Sequence, residues 1–219
     1  MKNLPHKTFE RNYLAQGYDC VIGVDEVGMG CLAGPVVVCA TLLRAPFFDA
    51  PHPELSGVRD SKLLSAMQRE RYARAVKKEQ HITQVLVVVP PRDVDTYNVL
   101  QAARRGMAVA VTRLVRSSNV QRPMILVDGN RLIPDIPWLQ RTIVGGDRRV
   151  FAIACASILA KVHRDALMVR ASKKYPHYGF ETHKGYGTKL HYARLAEFGP
   201  SVVHRKSFRL TGFKKNSTL

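Results

Sequence analysis

The chain has 219 residues, 46% of them hydrophobic and 23% charged, which suits a folded core and excludes a fibrous or disordered chain. Its charge is one-sided: 34 Lys+Arg stand against 17 Asp+Glu, a formal net charge of +17 that favours a polyanionic partner, nucleic acid before anionic membrane. No apolar run approaches the roughly 20 residues of a membrane span, and Met1–Lys7 leads into polar sequence without the apolar stretch of a signal peptide.

The elements follow in order. Cys20 to Val27 reads as a buried strand and Pro35 to Leu43 as a second, joined by a glycine-rich turn at Gly28-Met29-Gly30. A short third strand is expected near Phe47 and Phe48. Ser65 is a good N-cap for a helix reaching about Glu79. Ile82 to Val89 is β-branched and apolar, a strand ended by Pro90-Pro91. From Asp93 to about Arg116 the spacing predicts one long amphipathic helix. Met124 to Val127 and Arg141 to Val144 are strands running into Asp128-Gly129-Asn130 and Gly145-Gly146-Asp147. Phe151 to about Lys174 is a helix rich in small residues, with Lys161, Arg164 and Arg170 along it.

The tail from Tyr175 is aromatic, basic and partly helical. No repeat or linker divides the chain, so 1–219 reads as one domain with a helical, basic extension over about 175–219. The expected architecture is α/β, a mixed sheet flanked by helices. Cys20, Cys31, Cys39 and Cys155 form no CxxC pair and sit mostly in apolar sequence, as reduced thiols of a cytoplasmic protein do. A monomer is expected, because no coiled-coil pattern is present.

Two adjacent acids, Asp25 and Glu26, end the first apolar strand. Burying two neighbouring like charges is costly, and a bound cation is the economical way to keep both ionised. Asp128 closes a second strand, and Asp165 lies on the small-residue helix. Acids at strand ends converge readily, and carboxylates without a Cys or His set favour Mg²⁺ or Mn²⁺. On a basic protein such a cluster suggests metal-assisted phosphodiester hydrolysis. Taken singly, Asp128 also fits a turn former and Asp165 a helix-surface acid paired with a nearby base. Gly28-Met29-Gly30 offers unobstructed backbone amides to a phosphate or sugar hydroxyl, or is simply a hairpin turn; it lacks a P-loop or dinucleotide spacing. In His183-Lys184-Gly185-Tyr186-Gly187-Thr188 a ring between glycines either stacks on a sugar or base or packs within a tail loop.

With these residues in place, the chain resembles the ribonuclease HII family from about Val21 to Phe208. The resemblance is carried by Gly23-Val24-Asp25-Glu26-Val27-Gly28, Leu32-Ala33-Gly34-Pro35-Val36-Val37, Asp60-Ser61-Lys62, Asp128-Gly129-Asn130, Gly146-Asp147, the run Ala156 to Val162 with Arg164-Asp165, and His183 to Thr188. It implies a ribonuclease H-like fold with a C-terminal helical extension. It implies cleavage of RNA in RNA–DNA hybrids and incision at ribonucleotides embedded in duplex DNA, with Mn²⁺ or Mg²⁺, leaving 3′-hydroxyl and 5′-phosphate ends. By position Asp25, Glu26, Asp128 and Asp165 match the catalytic, metal-binding acids. Tyr186 matches the tyrosine that reads the ribonucleotide 2′-hydroxyl, Gly28, Met29 and Gly30 match the reading turn, and Lys62 and Lys184 match phosphate contacts with Ser61 alongside.

One departure stands out: the family's usual Gly-Arg-Gly-Pro is Gly28-Met29-Gly30-Cys31 here. If the missing guanidinium held a phosphate, its loss costs about 1.5–3 kcal/mol of binding. A second reading is therefore a hybrid-binding module without efficient cleavage, although a pure binder has no use for acids that repel a polyanion. The related ribonuclease HIII carries an extra N-terminal domain, for which the roughly twenty residues ahead of the first strand are too few. The stretch Phe208 to Lys215 lacks the glutamine that usually begins a sliding-clamp peptide and reads as a basic tail.

Overall fold

The computed structural model describes residues 4–208. In chain order the elements are α1 Thr8–Ala15, β1 Cys20–Val27, β2 Val36–Arg44, α2 Ala66–Lys78, β3 Ile82–Val89, α3 Pro91–Tyr97, α4 Val99–Ser118, β4 Pro123–Asp128, β5 Gln140–Ile143, α5 Phe151–Lys174, α6 Phe180–His183 and α7 Lys189–Phe198. The strands form one sheet in the order β3-β2-β1-β4-β5. Pairs β1–β2 and β2–β3 are antiparallel, while β1–β4 and β4–β5 are parallel, so β1 lies at the centre of a mixed sheet. No described helix is long and apolar enough to cross a membrane.

Two apolar layers cover the sheet. On one face Val21, Val37, Cys39 and Leu126 pack against the Ala152–Ala160 stretch of α5. On the other, Ile22, Val24, Val36 and Val38 pack against Ala103, Met107, Ala110 and Leu114 of α4. Small residues let α5 lie close to the sheet, and Gly23 marks the nearest approach: a β-carbon there would collide with the backbone of Ala152 and Ile153. A third cluster, Leu32, Ala33, Met168, Tyr178, Phe180 and Leu195, fastens the tail to the end of α5. All four cysteines are buried and free.

Two local expectations are corrected, and one helix is added. Phe47 and Phe48 lie in a 3₁₀ turn, Ala45–Phe48, not a strand, because Pro46 supplies a helical φ and no amide for a ladder. Phe47 instead stacks between His52 and Phe151. The long helix from Asp93 is two helices, broken where Asn98 adopts φ 63° and accepts the Gln101 amide at 3.0 Å to cap α4. Periodicity runs through this break, so spacing could not reveal it. Helix α1 was not foreseen. It has no side-chain N-cap, and its Glu10 is buried, accepting the Ala152 amide at the start of α5 at 2.8 Å. Ser65 caps α2 in a reciprocal capping box with Gln68. Most of the basic segment from Phe208 onward lies outside the described residues.

Candidate active site

Strand alternation sends Asp25 to the α5 face of the sheet and Glu26 to the α4 face. The parallel register pairs Val24 with Val127, so the next step brings Asp25 level with Asp128. Asp25 is 5% exposed, its Oδ1 accepts the Glu26 amide at 2.7 Å, and the Ser157 hydroxyl of α5 lies close enough to its carboxylate to favour the ionised form. Burial first, then the charges of Glu26 and Asp128, push the Asp25 carboxyl well above the usual range. Burial, then Asp128, pushes Glu26 up to about 7. Asp128 Oδ1 accepts the Gly146 amide at 2.6 Å.

Among the described residues none of these three acids has a Lys, Arg or His nitrogen within ion-pair distance. A mutually repelling, oxygen-only donor set suits a hard divalent cation. The acids are not drawn together into a tight ligand triad. The described residues form such a triad only at His52, Glu54 and Glu79. There His52 Nδ1 lies 3.0 Å from Glu79 and Nε2 2.8 Å from the Phe47 carbonyl, so both ring nitrogens already face protein oxygens.

Asp165, on α5, has partners of its own. Its Oδ1 accepts from Lys161 Nζ at 2.8 Å, and Arg69 Nη2 lies 4.0 Å from Oδ2. It lines a groove of about 830 Å³ between α2, α5 and the tail, shared with Lys161, Lys184 and Tyr186. The helix-surface alternative therefore describes its present contacts, in a groove that it shares with Tyr186 and not with the other three acids.

Two buried guanidiniums, Arg164 from a quoted motif and Arg205 from the tail, shape the glycine turn. Arg205 donates to the carbonyls of Gly28 and Met29 at 2.8 Å and twice to that of Gly34 at 3.0 and 3.1 Å. Because carbonyl and amide of one peptide point in opposite directions, drawing in the Gly28 and Met29 carbonyls turns the Met29 and Gly30 amides away from Arg205. Arg164 donates to Pro35, Lys184 and Ala33 carbonyls at 2.9, 2.9 and 3.2 Å, tying the turn to the tail. At Gly28, φ is +103° and a β-carbon would collide with Arg164. The Met29 side chain is half-buried against the α4 layer and lines a small cavity with Glu26, Asp128 and Arg104.

Tyr186 bridges to Cys31 beside the turn, is 38% exposed, and carries Lys161 and Arg164 at 5.5 and 5.6 Å from its ring centre. Lys184 adopts φ 52° and donates to the Glu181 carbonyl. Lys62 is exposed, with Nζ 3.7 Å from Asp147. Ser61 is buried, its hydroxyl 3.0 Å from that of Ser157, so it backs the Asp25 contact from within. Asp60 caps the turn that carries Lys62 and pairs with Arg148 at 3.0 Å. Asp60, Asp147 and Arg164 sit in motifs visible in the sequence; Arg205 gave no signal, since an arginine in the tail ordinarily faces water.

A family model described as ribonuclease HII matches residues 22–211. Ribonuclease HII of Xylella fastidiosa is 47% identical over 189 residues, 86% of this chain and 76% of that one. The Chlorobium phaeobacteroides ribonuclease HII is 45% identical, covering 87% and 90% of the two chains. Among solved structures, RNase HII from Archaeoglobus fulgidus, in its complex with PCNA, superposes with a TM-score of 0.68 at 22% identity over 91% of this chain and all of that one. Bst-RNase HIII in complex with Mn²⁺ gives 0.67 at 18% identity over 88% and 68%.

Proposed function

From the premise that this chain belongs to the ribonuclease HII family, and so is a divalent-metal-dependent ribonuclease H acting on RNA–DNA hybrids, we propose that it also incises duplex DNA at single embedded ribonucleotides, leaving 3′-hydroxyl and 5′-phosphate ends. The observation that carries this is the unbalanced acid centre of Asp25, Glu26 and Asp128, set beside outward-facing backbone amides and a half-exposed tyrosine. In this reading Asp25, Glu26 and Asp128 hold two divalent cations, Mg²⁺ or Mn²⁺, with Asp165 joining them from α5. When bound, such ions activate water and stabilise the leaving oxygen.

The protein's own residues do the rest. The Met29 and Gly30 amides meet the ribose hydroxyl or its phosphate. The Tyr186 ring stacks on the neighbouring sugar and reads the 2′-hydroxyl. Lys62 and Lys184 meet backbone phosphates as mobile point charges, and Ser61 acts indirectly, through Ser157 on Asp25. Because Arg205 orients the turn through backbone carbonyls, the turn keeps its amide donors with Met29 in place of arginine. The Archaeoglobus complex supports a sliding clamp as a protein partner, testable by pull-down with the full chain.

The test is an incision assay on a duplex with one ribonucleotide and on a uniform hybrid, with Mg²⁺ or Mn²⁺, with EDTA, and with Asp128→Asn. Expected are metal-dependent cuts in both, abolished in the variant while substrate binding persists. Cleavage of the hybrid alone would overturn the junction reading; binding without cleavage of either would leave a binding module.

A further inference from the structure

Three buried histidines cluster behind the Tyr186 loop, and their hydrogen bonds fix every ring proton. His191 Nδ1 lies 2.9 Å from the Tyr186 carbonyl, which can only accept, so Nδ1 carries the hydrogen. Its Nε2, 3.0 Å from His204 Nε2, must then accept, and His204 must donate from Nε2. His204 Nδ1 in turn accepts the Ser201 amide at 2.9 Å, as this assignment requires. His183 closes the set: Nδ1 accepts the Gly185 amide at 3.1 Å and Nε2 donates to the Tyr178 carbonyl at 2.7 Å. The His183 and His191 rings stack at 4.2 Å. All three rings are consistent only as neutral imidazoles, and burial, the largest influence on each, lowers the pKa of His191 and His204 to about 4.

The Tyr186 carbonyl accepts twice, from His191 and from the Thr188 amide at 2.8 Å. Thr188 also caps α7 by accepting the His191 amide at 3.3 Å, so the helix start places the imidazole that grips the loop. Gly185, whose amide His183 binds, accepts the Leu32 amide at 2.9 Å next to the glycine turn. The tyrosine backbone is thus held from the tail side and the turn side together. We propose that His191, with its tautomer set by His204, is a positioning residue for specificity: it holds the Tyr186 backbone so that the ring stands where a lone ribonucleotide is read. This rests on the reading of Tyr186 given above.

The test has two parts on the full chain. In the first, ¹⁵N NMR of the histidine rings reads tautomers, with Tyr186→Ala and His191→Asn spectra for assignment. His191 is expected as the Nδ1–H form and His204 as the Nε2–H form; an Nε2–H His191 overturns the proposal regardless of what Tyr186 does. In the second, the ratio of kcat/KM on single-ribonucleotide duplex to that on uniform hybrid is measured. His191→Phe is expected to lower the ratio about tenfold, the worth of one hydrogen bond, with hybrid cleavage little changed. His191→Asn, whose amide can still donate to Tyr186, is expected to restore most of it. If His191→Phe does not fold, His204→Leu against His204→Gln asks the same question. A ratio unmoved in these variants but lowered by Tyr186→Ala overturns the positioning role; one unmoved by Tyr186→Ala overturns the reading of Tyr186 instead.

Discussion

Arg205→Lys probes the link between the tail and the glycine turn. Arg205 is wholly buried, and burial lowers its pKa only to about 10, so it is charged at neutral pH. Its fork makes four hydrogen bonds to three carbonyl oxygens. Lysine keeps the charge but offers one compact ammonium in place of a planar fork. Losing two of the four contacts, at about 1–1.5 kcal/mol each, destabilises the fold by about 2–3 kcal/mol. For a chain of this size that is a fall of about 8 °C in Tm. The carbonyls of Gly28 and Met29 are then free to turn, and their amide partners lose orientation. Thermal unfolding and the two-substrate cleavage assay should therefore move together, incision at a lone ribonucleotide falling more than hybrid cleavage. A Tm within about 1 °C of the parent, with an unchanged substrate ratio, would refute the idea that the guanidinium orients the turn.

Glu10 carries the pH prediction. Burial raises its carboxyl to about 7 from 4.5, so the stability it contributes is complete below pH 4.5 and is lost as pH rises toward 7. The shift corresponds to about 3 kcal/mol, and Glu10→Gln should flatten this part of the profile in urea unfolding at pH 5 and pH 8; equal slopes in both proteins would refute it. Gly23→Ala should cost about 3 kcal/mol or prevent folding, because the collision is with the backbone of α5 rather than a movable side chain. A soluble Gly23→Ala protein with parental Tm would mean that α5 can lift off the sheet.

Most of the sheet and the α5 face were legible because one period dominates each segment: β-branched runs for β1 to β4, and small apolar residues around Gly23 for α5. The α3–α4 break was hidden because Asn98 keeps the apolar spacing while reversing φ. Asp25, Glu26 and Asp128 were legible as acids misplaced in apolar strands. Ser61 looked like a surface contact but faces inward, since its neighbour Asp60 turns the chain at a 3₁₀ cap. The histidine set could not be read at all. His183, His191 and His204 are scattered along the tail, and only the fold shows which nitrogen meets which.

Among the described residues, the buried guanidiniums of Arg164 and Arg205 form no ion pair with the carboxylates of Asp25 or Glu26. Arg164 and Arg205 are satisfied by backbone carbonyls, which solvate a cation without cancelling it. Pairing them with Asp25 or Glu26 would neutralise both sets and leave neither free for a ligand. In the proposed reading the unpaired acids form a negative centre for divalent cations, while the wholly buried guanidiniums shape the turn and the Tyr186 loop rather than meet phosphate themselves. Lys161 and Asp165 are the exception, an ion pair at 2.8 Å on the groove wall. For Asp165 to join the acid centre, that pair must open. Replacing Lys161 with Met should therefore lower the Mn²⁺ concentration needed for half-maximal cleavage in a metal titration; an unchanged or raised requirement would refute competition between the pair and a cation.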